Sequence, residues 1–357
     1  MPRRVIQFST GHVGVHALRQ IIERPDLELV GVHASSPAKI GQDAADLVGL
    51  DEPTGVIATD DLAALVALQA DVVVYTTQAE TRPAEALAEV CAFLRAGTNV
   101  VGSSFVWLLN PTTAPTWLTE PITAACLEGG TSMYVNGIDP GFSGDTLALA
   151  ALSLTGSATQ VRVQEVCDYG SYDDAAFTGV AFGFGSVPGD EPPMMFLPGV
   201  LDSIWGPSLQ LIAGCLDVEV EEVREFYEPW VATEPIDCTM MRVEPGQTAA
   251  VRFGIEGYVG GRPRIVLEHV NRLTAAAGPD WAYPPEGRPG VHRVVVSGSP
   301  GVEINTHVGL DGVDHNIGGV VATAARVVNA IDAVCDAAPG MLAVTDLPGS
   351  YAGRVVW

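Results

Sequence analysis

Residues 5–14 of this chain, VIQFSTGHVG, carry its most informative local pattern. The first four read as a short buried strand, and an amphipathic helical pattern follows from His12 onward. Between them, Ser9, Gly11 and Gly14 keep the spacing of a GxGxxG turn, with serine in place of the first glycine. Such a turn presents backbone amides and a helix N-terminus to a pyrophosphate group. The segment therefore predicts a strand–turn–helix unit that binds a dinucleotide.

The rest of the first 136 residues repeats this alternation of strand-like and helical patterns, which is typical of βαβ units and a parallel sheet. Right-handed crossovers between such units predict an N-terminal Rossmann domain, an α/β fold with a doubly wound parallel sheet. Asp60 is predicted to cap the helix that ends near Leu68, because its carboxylate can accept from first-turn amides. The predicted strands of this domain are residues 5–8, 27–33, 56–58, 71–76, 99–101 and 131–135.

From about Gly137 the pattern changes to longer strand-like runs separated by Gly- and Pro-rich stretches. We interpret residues 137–305 as a C-terminal α+β domain on an open mixed sheet that is mostly antiparallel. A last apolar helix, about 317–337, ends at a Pro-Gly stop signal and is expected to return to the first domain. Residues 306–357 are therefore expected to complete the Rossmann domain, 1–136.

The composition argues against several classes of partner. The chain has 357 residues, 47% of them apolar, and 43 acidic residues against 18 basic ones, for a formal charge of −25. So negative a surface repels phosphate backbones and anionic headgroups, which predicts no nucleic-acid and no membrane partner. The six cysteines are scattered without a metal-binding spacing, and no signal peptide precedes the first strand. We therefore expect a reduced, cytoplasmic protein that acts on small molecules.

The end of the second predicted strand bears on the choice of dinucleotide. An NAD-binding fold places an acid about 20 residues after the last glycine of the turn, where it binds the ribose. His33 stands at that distance, and no acid is found beside it. The chain supplies Ser35, Ser36 and Lys39, which is the only lysine of the sequence. Hydroxyls and a cation suit a 2′-phosphate, so we predict NADP(H) in preference to NAD(H).

Two further strand ends complete the expected cofactor cradle at the carboxyl edge of the sheet. Small polar residues there can face a ribose or a nicotinamide ring, although the same residues are common in ordinary turns. The predicted cofactor-binding residues are Ser9, Thr10, Gly11, His12, Val13, Ser35, Ser36, Lys39, Thr76, Thr77, Gly102, Ser103 and Ser104.

Several longer segments together carry a family resemblance. They are the opening turn, LVGVHASSPAKIGQDAADLVGL (29–50), TGVIATDD (54–61), GTNVV (97–101), GIDPGF (137–142) and DHNIGGVVATAARVVNAIDAVCDAAPG (314–340). This combination resembles the dihydrodipicolinate-reductase-like superfamily, in particular the branch of the native amine dehydrogenases and 2,4-diaminopentanoate dehydrogenase. The resemblance implies a Rossmann domain, a C-terminal domain for substrate binding and dimerisation, homodimers, and hydride transfer from NAD(P)H to a C=N or C=O group.

One departure from that branch affects the expected chemistry. The resemblance implies a glutamate shortly after the fifth strand that handles the proton of ammonia, but residues 102–110 read GSSFVWLLN and hold no acid. This argues against amine dehydrogenase activity and leaves reduction of a carbonyl or imine open. Asp139, within GIDPGF, either takes an acid role in catalysis or caps the helix that follows, and capping is the favoured interpretation.

Reduction of a carbonyl needs a proton donor near the developing alkoxide. Tyr172 is the first candidate and Tyr169 the second, in a neighbourhood that lines the substrate pocket of the resembled family. Each can equally be a packing residue whose hydroxyl faces water. The predicted walls of the substrate pocket are Phe105, Trp107, Asp168, Phe177, Met195 and Phe196.

The dispersed histidines lack a ligand spacing, so no metal site is predicted, and His269 reads as a core histidine. The sequence thus predicts an NADPH-dependent oxidoreductase that acts on a small, largely apolar ketone, aldehyde or imine. The alternative is a catalytically idle NADP(H)-binding sensor or structural protein. Substrate-dependent oxidation of NADPH distinguishes the two.

Overall fold

The structure is a computed structural model, and it describes residues 1–189 and 191–348, apart from the side chain of Phe177. The described chain divides into two compact units, of which the first joins residues 1–138 to residues 320–348. The second unit is Asp139–Gly319. Residues 306–319, expected with the first domain, belong to the second unit, because the strand that ends at Thr306 pairs within the second sheet.

Strands and helices alternate in the first unit, as the βαβ pattern predicts. Two of its inner strands, Val72–Tyr75 and Ser132–Val135, are buried along their whole length, as expected for a parallel sheet covered on both faces. In chain order the elements are β1 (Arg3–Phe8), α1 (His12–Glu23), β2 (Leu27–His33), α2 (Ala44–Val48), β3 (Ala58–Thr59), α3 (Leu62–Ala67), β4 (Val72–Tyr75), α4 (Pro83–Arg95), β5 (Asn99–Gly102), α5 (Thr116–Gly129) and β6 (Ser132–Val135).

The second unit consists mainly of long strands, and a helical segment, Ile138–Leu147, leads into it. In chain order its elements are α6 (Ala148–Leu152), β7 (Ser157–Asp168), α7 (Val180–Phe182), α8 (Val200–Cys215), β8 (Glu222–Val231), β9 (Ile236–Asp237), β10 (Arg242–Val243), β11 (Thr248–Val259), β12 (Arg262–Arg272), β13 (Gly290–Ser299) and β14 (Val302–Thr306).

The last part of the chain returns to the first unit. Residues 315–335 are long and apolar enough to span a membrane by length and composition. Val327, Val328, Ile331 and Val334 are fully buried in the core of the first unit, and this packing accounts for the apolar character of the stretch. The elements concerned are α9 (His315–Asn329), α10 (Ile331–Cys335) and β15 (Gly340–Leu342).

The seven strands of the first unit form a parallel sheet in the order β15-β6-β5-β4-β1-β2-β3. From β6 to β3 this is the doubly wound order of a Rossmann sheet, in which the winding direction changes between β1 and β4. The predicted fold is therefore confirmed. Sheets of this type bind ligands outside the carboxyl ends of their strands, at the point where the direction changes.

Six strands of the second unit form a mixed sheet in the order β14-β13-β7-β12-β11-β8. All neighbours are antiparallel except β7 and β12. Side chains of α6 and α8 pack on one face of this sheet, where Trp205 and Phe253 belong to the same buried core. The predicted α+β domain on a mixed sheet is confirmed.

Two local predictions for the first unit are wrong by one or two residues. β3 begins at Ala58 rather than Val56, because pairing with β2 begins there. Asp61 rather than Asp60 caps α3, and its carboxylate accepts from the Ala64 amide at 2.9 Å. Both differences arise from contacts that the local pattern does not contain.

Candidate functional site

The turn between β1 and α1 contains a serine in an unusual backbone conformation. Ser9 has φ +83°, in the left-handed region that only glycine adopts freely. The side-chain amide of Gln7 holds the turn by donating to Ser9 O at 2.8 Å and to Thr76 Oγ1 at 2.9 Å. A Cβ on Gly14 would lie 2.3 Å from Ser9 O and 2.9 Å from Thr76 Oγ1. Glycine is therefore required at position 14, where α1 packs against the turn.

The N-terminus of α1 is open toward a ligand. Among the residues that the structure describes, no side chain caps this helix. A Cβ on Gly11 would meet only Ser9 Oγ, at 3.7 Å, apart from its chain neighbours. Uncapped amides at the positive end of a helix dipole fit a pyrophosphate group. These residues thus fit the nicotinamide dinucleotide implied by the fold, which when bound donates or accepts a hydride.

Lys39 lies beside this turn. Its Nζ donates to Thr10 O at 2.5 Å, and its backbone amide donates to Ser36 O at 2.9 Å. Ser35 and Ser36 are exposed. The cation and two hydroxyls consequently stand just beyond the carboxyl end of β2, where Rossmann sheets bind the ribose 2′ position.

His33, the last residue of β2, presents a flat ring. Its centroid lies 3.9 Å from that of Phe8, with the two planes parallel within 1°. Burial lowers the pKa of His33, so its ring is neutral near pH 7. Its Nδ1 is buried without a partner in the described part of the chain. Lys39 therefore supplies the positive charge at this strand end without help from His33.

The predicted residues at the ends of β4 and β5 shape the cradle mainly through backbone contacts. A Cβ on Gly102 would lie 2.4 Å from Tyr75 O, so glycine lets β4 and β5 approach each other here. The hydroxyl of Ser104 donates to Thr77 O, and the Thr76 hydroxyl takes part in the bond from Gln7. These hydroxyls stabilise the loops that carry them.

Phe105 and Trp107, predicted as pocket walls, pack within the first unit. Phe105 is fully buried, with its ring 6.4 Å from that of Tyr75. Trp107 is partly buried and meets Trp117 edge to face at 5.9 Å. The amide of Phe105 donates to Glu80 Oε1 at 3.3 Å. Glu80 thereby places a carboxylate on a segment that has no acid of its own.

In the second unit, three titratable side chains form a row across the sheet. The register places Glu165 of β7 directly opposite His269 of β12 and opposite His292 of β13. Directly paired residues share one face of a sheet. Trp205 of α8 packs on His269 with ring centroids 4.4 Å apart, so this row lies on the face that α8 covers.

Asp139 meets this row from the segment that precedes α6. Its Oδ1 accepts from Trp205 Nε1 at 2.8 Å and lies 3.3 Å from His269 Nε2. Its Oδ2 lies 4.0 Å from His292 Nδ1, and the side chain is 5% exposed. The favoured expectation that Asp139 caps a helix is wrong, because its carboxylate serves these buried donors and its backbone is extended.

Asp139 and His269 form a buried ion pair. Burial alone raises the pKa of Asp139, but His269, with smaller help from His292 and Trp205, outweighs it and lowers that pKa. Burial likewise lowers the pKa of His269, and Asp139 reverses this so that the pKa is raised. The pair therefore favours a carboxylate and an imidazolium. The Nδ1 of His269 is buried and has no partner among the described residues.

Glu165 is held by neutral donors. Its Oε1 accepts from Tyr169 OH at 2.9 Å and from Asn271 Nδ2 at 2.8 Å. Burial, together with Glu165, raises the pKa of Tyr169 well above its usual value, so this hydroxyl keeps its proton and donates it. Tyr169, the second predicted proton donor, thus anchors Glu165.

Tyr172, the first predicted proton donor, is partly buried with its ring 5.8 Å from that of Tyr169. Burial raises its pKa, so it is a neutral hydroxyl near pH 7. Asp168 lines a cleft of about 490 Å³ within the second unit, and polar side chains of this cleft include Arg288 and His315. The structure thus brings Tyr172 next to Tyr169 and places Asp168 at a cleft.

The remaining predicted pocket residues differ in their surroundings. Phe196 is buried and stacks on Tyr227 with centroids 3.8 Å apart. Met195 is partly buried against the same core. Phe177 lies in the helical segment Ala175–Gly179, and its side chain is outside the described part of the chain.

Sequence reasoning missed Trp205, Glu165 and His292 as members of one cluster. No local motif links them, because strand pairing and the packing of α8 bring them together. One signal was available: Glu165 and His292 are polar side chains at every-second-residue positions that elsewhere hold the buried Val161, Val163, Val294 and Val296.

Comparisons with known proteins agree with this architecture. Residues 5–103 match the model of the dihydrodipicolinate reductase N-terminus, and residues 203–353 match that of the 2,4-diaminopentanoate dehydrogenase C-terminal domain. The chain is 37% identical over 344 residues to a protein named amine dehydrogenase from Streptomyces virginiae, covering 96% of this chain and 95% of the relative. A 58-residue match, 38% identical, relates 16% of the chain to 21% of 4-hydroxy-tetrahydrodipicolinate reductase from Trichormus variabilis.

Among solved structures, an amine dehydrogenase from Mycobacterium smegmatis matches with a TM-score of 0.75 at 18% identity, covering 99% of this chain and 98% of the other. That match shows a shared fold. The long match at 37% identity shows the family, because it extends over nearly all of both chains. The chain therefore belongs to the amine dehydrogenase branch of the dihydrodipicolinate-reductase-like superfamily, and it is an NAD(P)-dependent dehydrogenase.

Proposed function

We propose that this protein uses NADPH to reduce the C=O or C=N carbon of a small, largely apolar substrate. The observation that carries the reaction class is the 37% identity over 344 residues to a protein named amine dehydrogenase. Such a reaction needs a dinucleotide turn and side chains that handle a proton. The β1–α1 turn is a turn of the first kind, and the titratable side chains of the second unit can handle a proton.

Lys39 supports NADPH as the cofactor. Its Nζ is held 2.5 Å from Thr10 O, beside the dinucleotide turn. Because the chain has a formal charge of −25, a 2′-phosphate needs a local cation to offset the surrounding negative field. The first acid after β2, Asp43, caps α2 and accepts from the Thr54 and Gly55 amides. That carboxylate is therefore committed elsewhere and does not serve as a ribose-binding acid.

The cofactor proposal is tested by Lys39→Ala beside Lys39→Arg. Loss of a charge-assisted bond to phosphate is expected to raise the KM for NADPH by roughly 10- to 100-fold. The KM for NADH is expected to stay the same, and Lys39→Arg is expected to keep most of the NADPH affinity. An unchanged NADPH KM in Lys39→Ala contradicts the preference for NADPH and leaves the reaction class standing.

Formation of an amine is the favoured reaction, and reduction of a ketone or aldehyde to an alcohol is the second candidate. The name of the full-length relative supports the first. The absence of an acid from residues 102–110 favours the second, because no carboxylate of that segment can take a proton from ammonium.

Oxidation of NADPH over a panel of ketones and aldehydes, with and without ammonium chloride, distinguishes these reactions. Amine formed only with ammonium supports an amine dehydrogenase, and alcohol formed regardless of ammonium supports a carbonyl reductase. Binding of NADPH in calorimetry without turnover of any substrate contradicts both. That outcome would support an idle nucleotide-binding protein.

Tyr172 is proposed as the proton donor or carbonyl anchor. Its hydroxyl is neutral near pH 7, because burial raises its pKa. Tyr172→Phe is expected to lower kcat by roughly 100-fold while the KM for NADPH changes little. Tyr258→Phe, which removes a hydroxyl bonded to Glu256 on β11, is the matched control. Equal kcat values for the two variants would contradict the role of Tyr172.

A further inference from the structure

The row of the second unit adjoins one fully buried hydrogen-bond acceptor that lacks a donor among the described residues. Asp139, Glu165 and His292 each contribute one ligand atom to a group in which all three atoms lie within 4.8 Å of one another. Asn271 is fully buried and joins this group by donating Nδ2 to Glu165. Its Oδ1 has no partner among the described residues. We call these four residues the acceptor cluster.

The acceptor cluster also carries negative charge without a matching cation. Asp139 is paired with His269, whereas the recorded donors to Glu165 are a phenol and an amide. On the opposite face of the sheet the protein does supply cations, since Glu268 pairs with Arg162 and Arg252. Glu165 is partly buried and has no cation among these bonds, so a small cation would be attracted to it.

The spacing of the cluster distinguishes two kinds of cation. A zinc ion bound at about 2.0–2.1 Å spaces tetrahedral ligands about 3.4 Å apart. N–H···O bonds of about 2.7–3.2 Å around a tetrahedral ammonium space their acceptors by roughly 4.4–5.2 Å. Asp139 Oδ2 and His292 Nδ1 are 4.0 Å apart, about 0.6 Å wider than the zinc spacing and about 0.4 Å short of the ammonium range, so this distance lies nearer the ammonium geometry. Asn271 Oδ1 also lacks a donor among the described residues, and an ammonium supplies N–H donors where a metal ion does not. His292 Nδ1 already lies 3.1 Å from Ser143 Oγ.

We propose that Asp139, Glu165, His292 and Asn271 bind a small ammonium cation, either NH4⁺ or the ammonium group of a primary amine. The inference rests on the proposed function, in which ammonium is consumed and an amine is formed. The N–H groups of the cation donate to the carboxylates and to Asn271 Oδ1. His269 positions Asp139 through Oδ1 and leaves Oδ2 for the ligand.

Glu165→Gln tests the site with little disturbance of the fold. The amide oxygen of glutamine can keep the bonds from Tyr169 and Asn271, so the change removes mainly the charge. Initial rates of NADPH oxidation at saturating ketone are measured against ammonium chloride. The KM for ammonium is expected to rise by about 10- to 100-fold, with the KM for NADPH unchanged. Glu165→Asp is expected to recover part of the loss.

Glu303→Gln is the matched control, because Glu303 is an exposed carboxylate on β14 of the same sheet. Its KM for ammonium is expected to equal that of the wild type. The melting temperature and the NADPH affinity of Glu165→Gln, measured by calorimetry, report whether both units remain folded. In the reverse direction, a raised KM for a primary amine substrate shows that the site also holds the ammonium group of the amine.

The outcomes separate this site from the proposed function. If the wild type forms amine and Glu165→Gln keeps the wild-type KM for ammonium, the site is refuted and the proposed function stands. If the wild type forms no amine with ammonium present, amine formation and the site fail together. Loss of wild-type activity in EDTA, with recovery on adding zinc, would assign the cluster to a metal and overturn the proposal.

Discussion

His269→Phe is expected to expose the energetic role of the Asp139–His269 pair. The histidine ring stacks on Phe253 with centroids 4.9 Å apart and planes 9° apart, so a phenyl ring fits the same space. The substitution removes Nε2 and leaves the buried carboxylate of Asp139 with Trp205 Nε1 as its close donor. The change in unfolding free energy therefore reports mainly the lost partner.

The magnitude follows from two limits. Removing one partner of a buried ion pair costs about 3–5 kcal/mol. The unpaired carboxyl can escape that cost by protonation, which from an ordinary pKa of about 3.9 costs about 4 kcal/mol at pH 7. We therefore expect His269→Phe to lower the unfolding free energy of the second unit by about 3–4 kcal/mol at pH 7.

The contribution of the Asp139–His269 pair to the unfolding free energy depends on pH, and its sign follows from the two pKa shifts. The depressed pKa of Asp139 contributes stability above about pH 3.9 that is lost as pH falls through the lower folded value. The raised pKa of His269 contributes stability below about pH 6.5 that is lost as pH rises through the higher folded value. In His269→Phe the unpaired carboxyl protonates at low pH, so the penalty is expected to shrink to about 1 kcal/mol near pH 4.5.

Urea unfolding followed by tryptophan fluorescence at pH 4.5 and pH 7 measures this difference. Asp139→Asn can keep the bond from Trp205 and provides the control background. In that background, His269→Phe is expected to cost about 1 kcal/mol or less at both pH values, because no charge is left unpaired. A penalty below about 1 kcal/mol at pH 7, or one independent of pH in the parent protein, would refute the ion pair.

Three further predictions concern the first unit. Gly14→Ala is expected to destabilise it by about 1–3 kcal/mol, because the added Cβ lies 2.3 Å from Ser9 O, whereas Gly11→Ala, with its nearest contact at 3.7 Å, is expected to unfold near the wild-type temperature. Equal melting temperatures for the two variants would contradict this. Ser9→Gly relieves a left-handed φ of +83° worth about 1 kcal/mol and is expected to raise the melting temperature by a few degrees; a fall would mean that the Ser9 side chain stabilises the turn. Asp43→Ala is expected to cost about 1–2 kcal/mol, because the carboxylate caps α2 and holds the Thr54–Gly55 turn. The Ala45 amide, ahead of the bonds from that turn, lowers the pKa of Asp43 to about 2, so the wild type should lose this contribution only as pH falls from about 4 toward 2, in acid-unfolding curves that Asp43→Ala does not share.

Local patterns predicted the βαβ order of the first unit and its opening strand, turn and helix. The strand, turn and helix of residues 5–14 follow from short-range periodicity and glycine placement, and β2 was predicted with the bounds Leu27–His33 that the structure has. The sequence also identified Lys39 as a candidate anion-binding residue, because it is the only lysine of a chain with a formal charge of −25. These features depend on residues that are close together along the chain, so the local sequence predicts them.

The acid–base groups of the second unit could not be found in this way. Asp139 and His269 are 130 residues apart, and Asn271 is 106 residues from Glu165. Register across β7, β12 and β13 brings such residues together, and register is set by the packing of whole strands and helices. Phe105 likewise reads as a loop residue next to a strand end, yet its side chain is fully buried in the core. Burial and the pairing of distant charges depend on how the elements pack, and no short stretch of the chain records that packing.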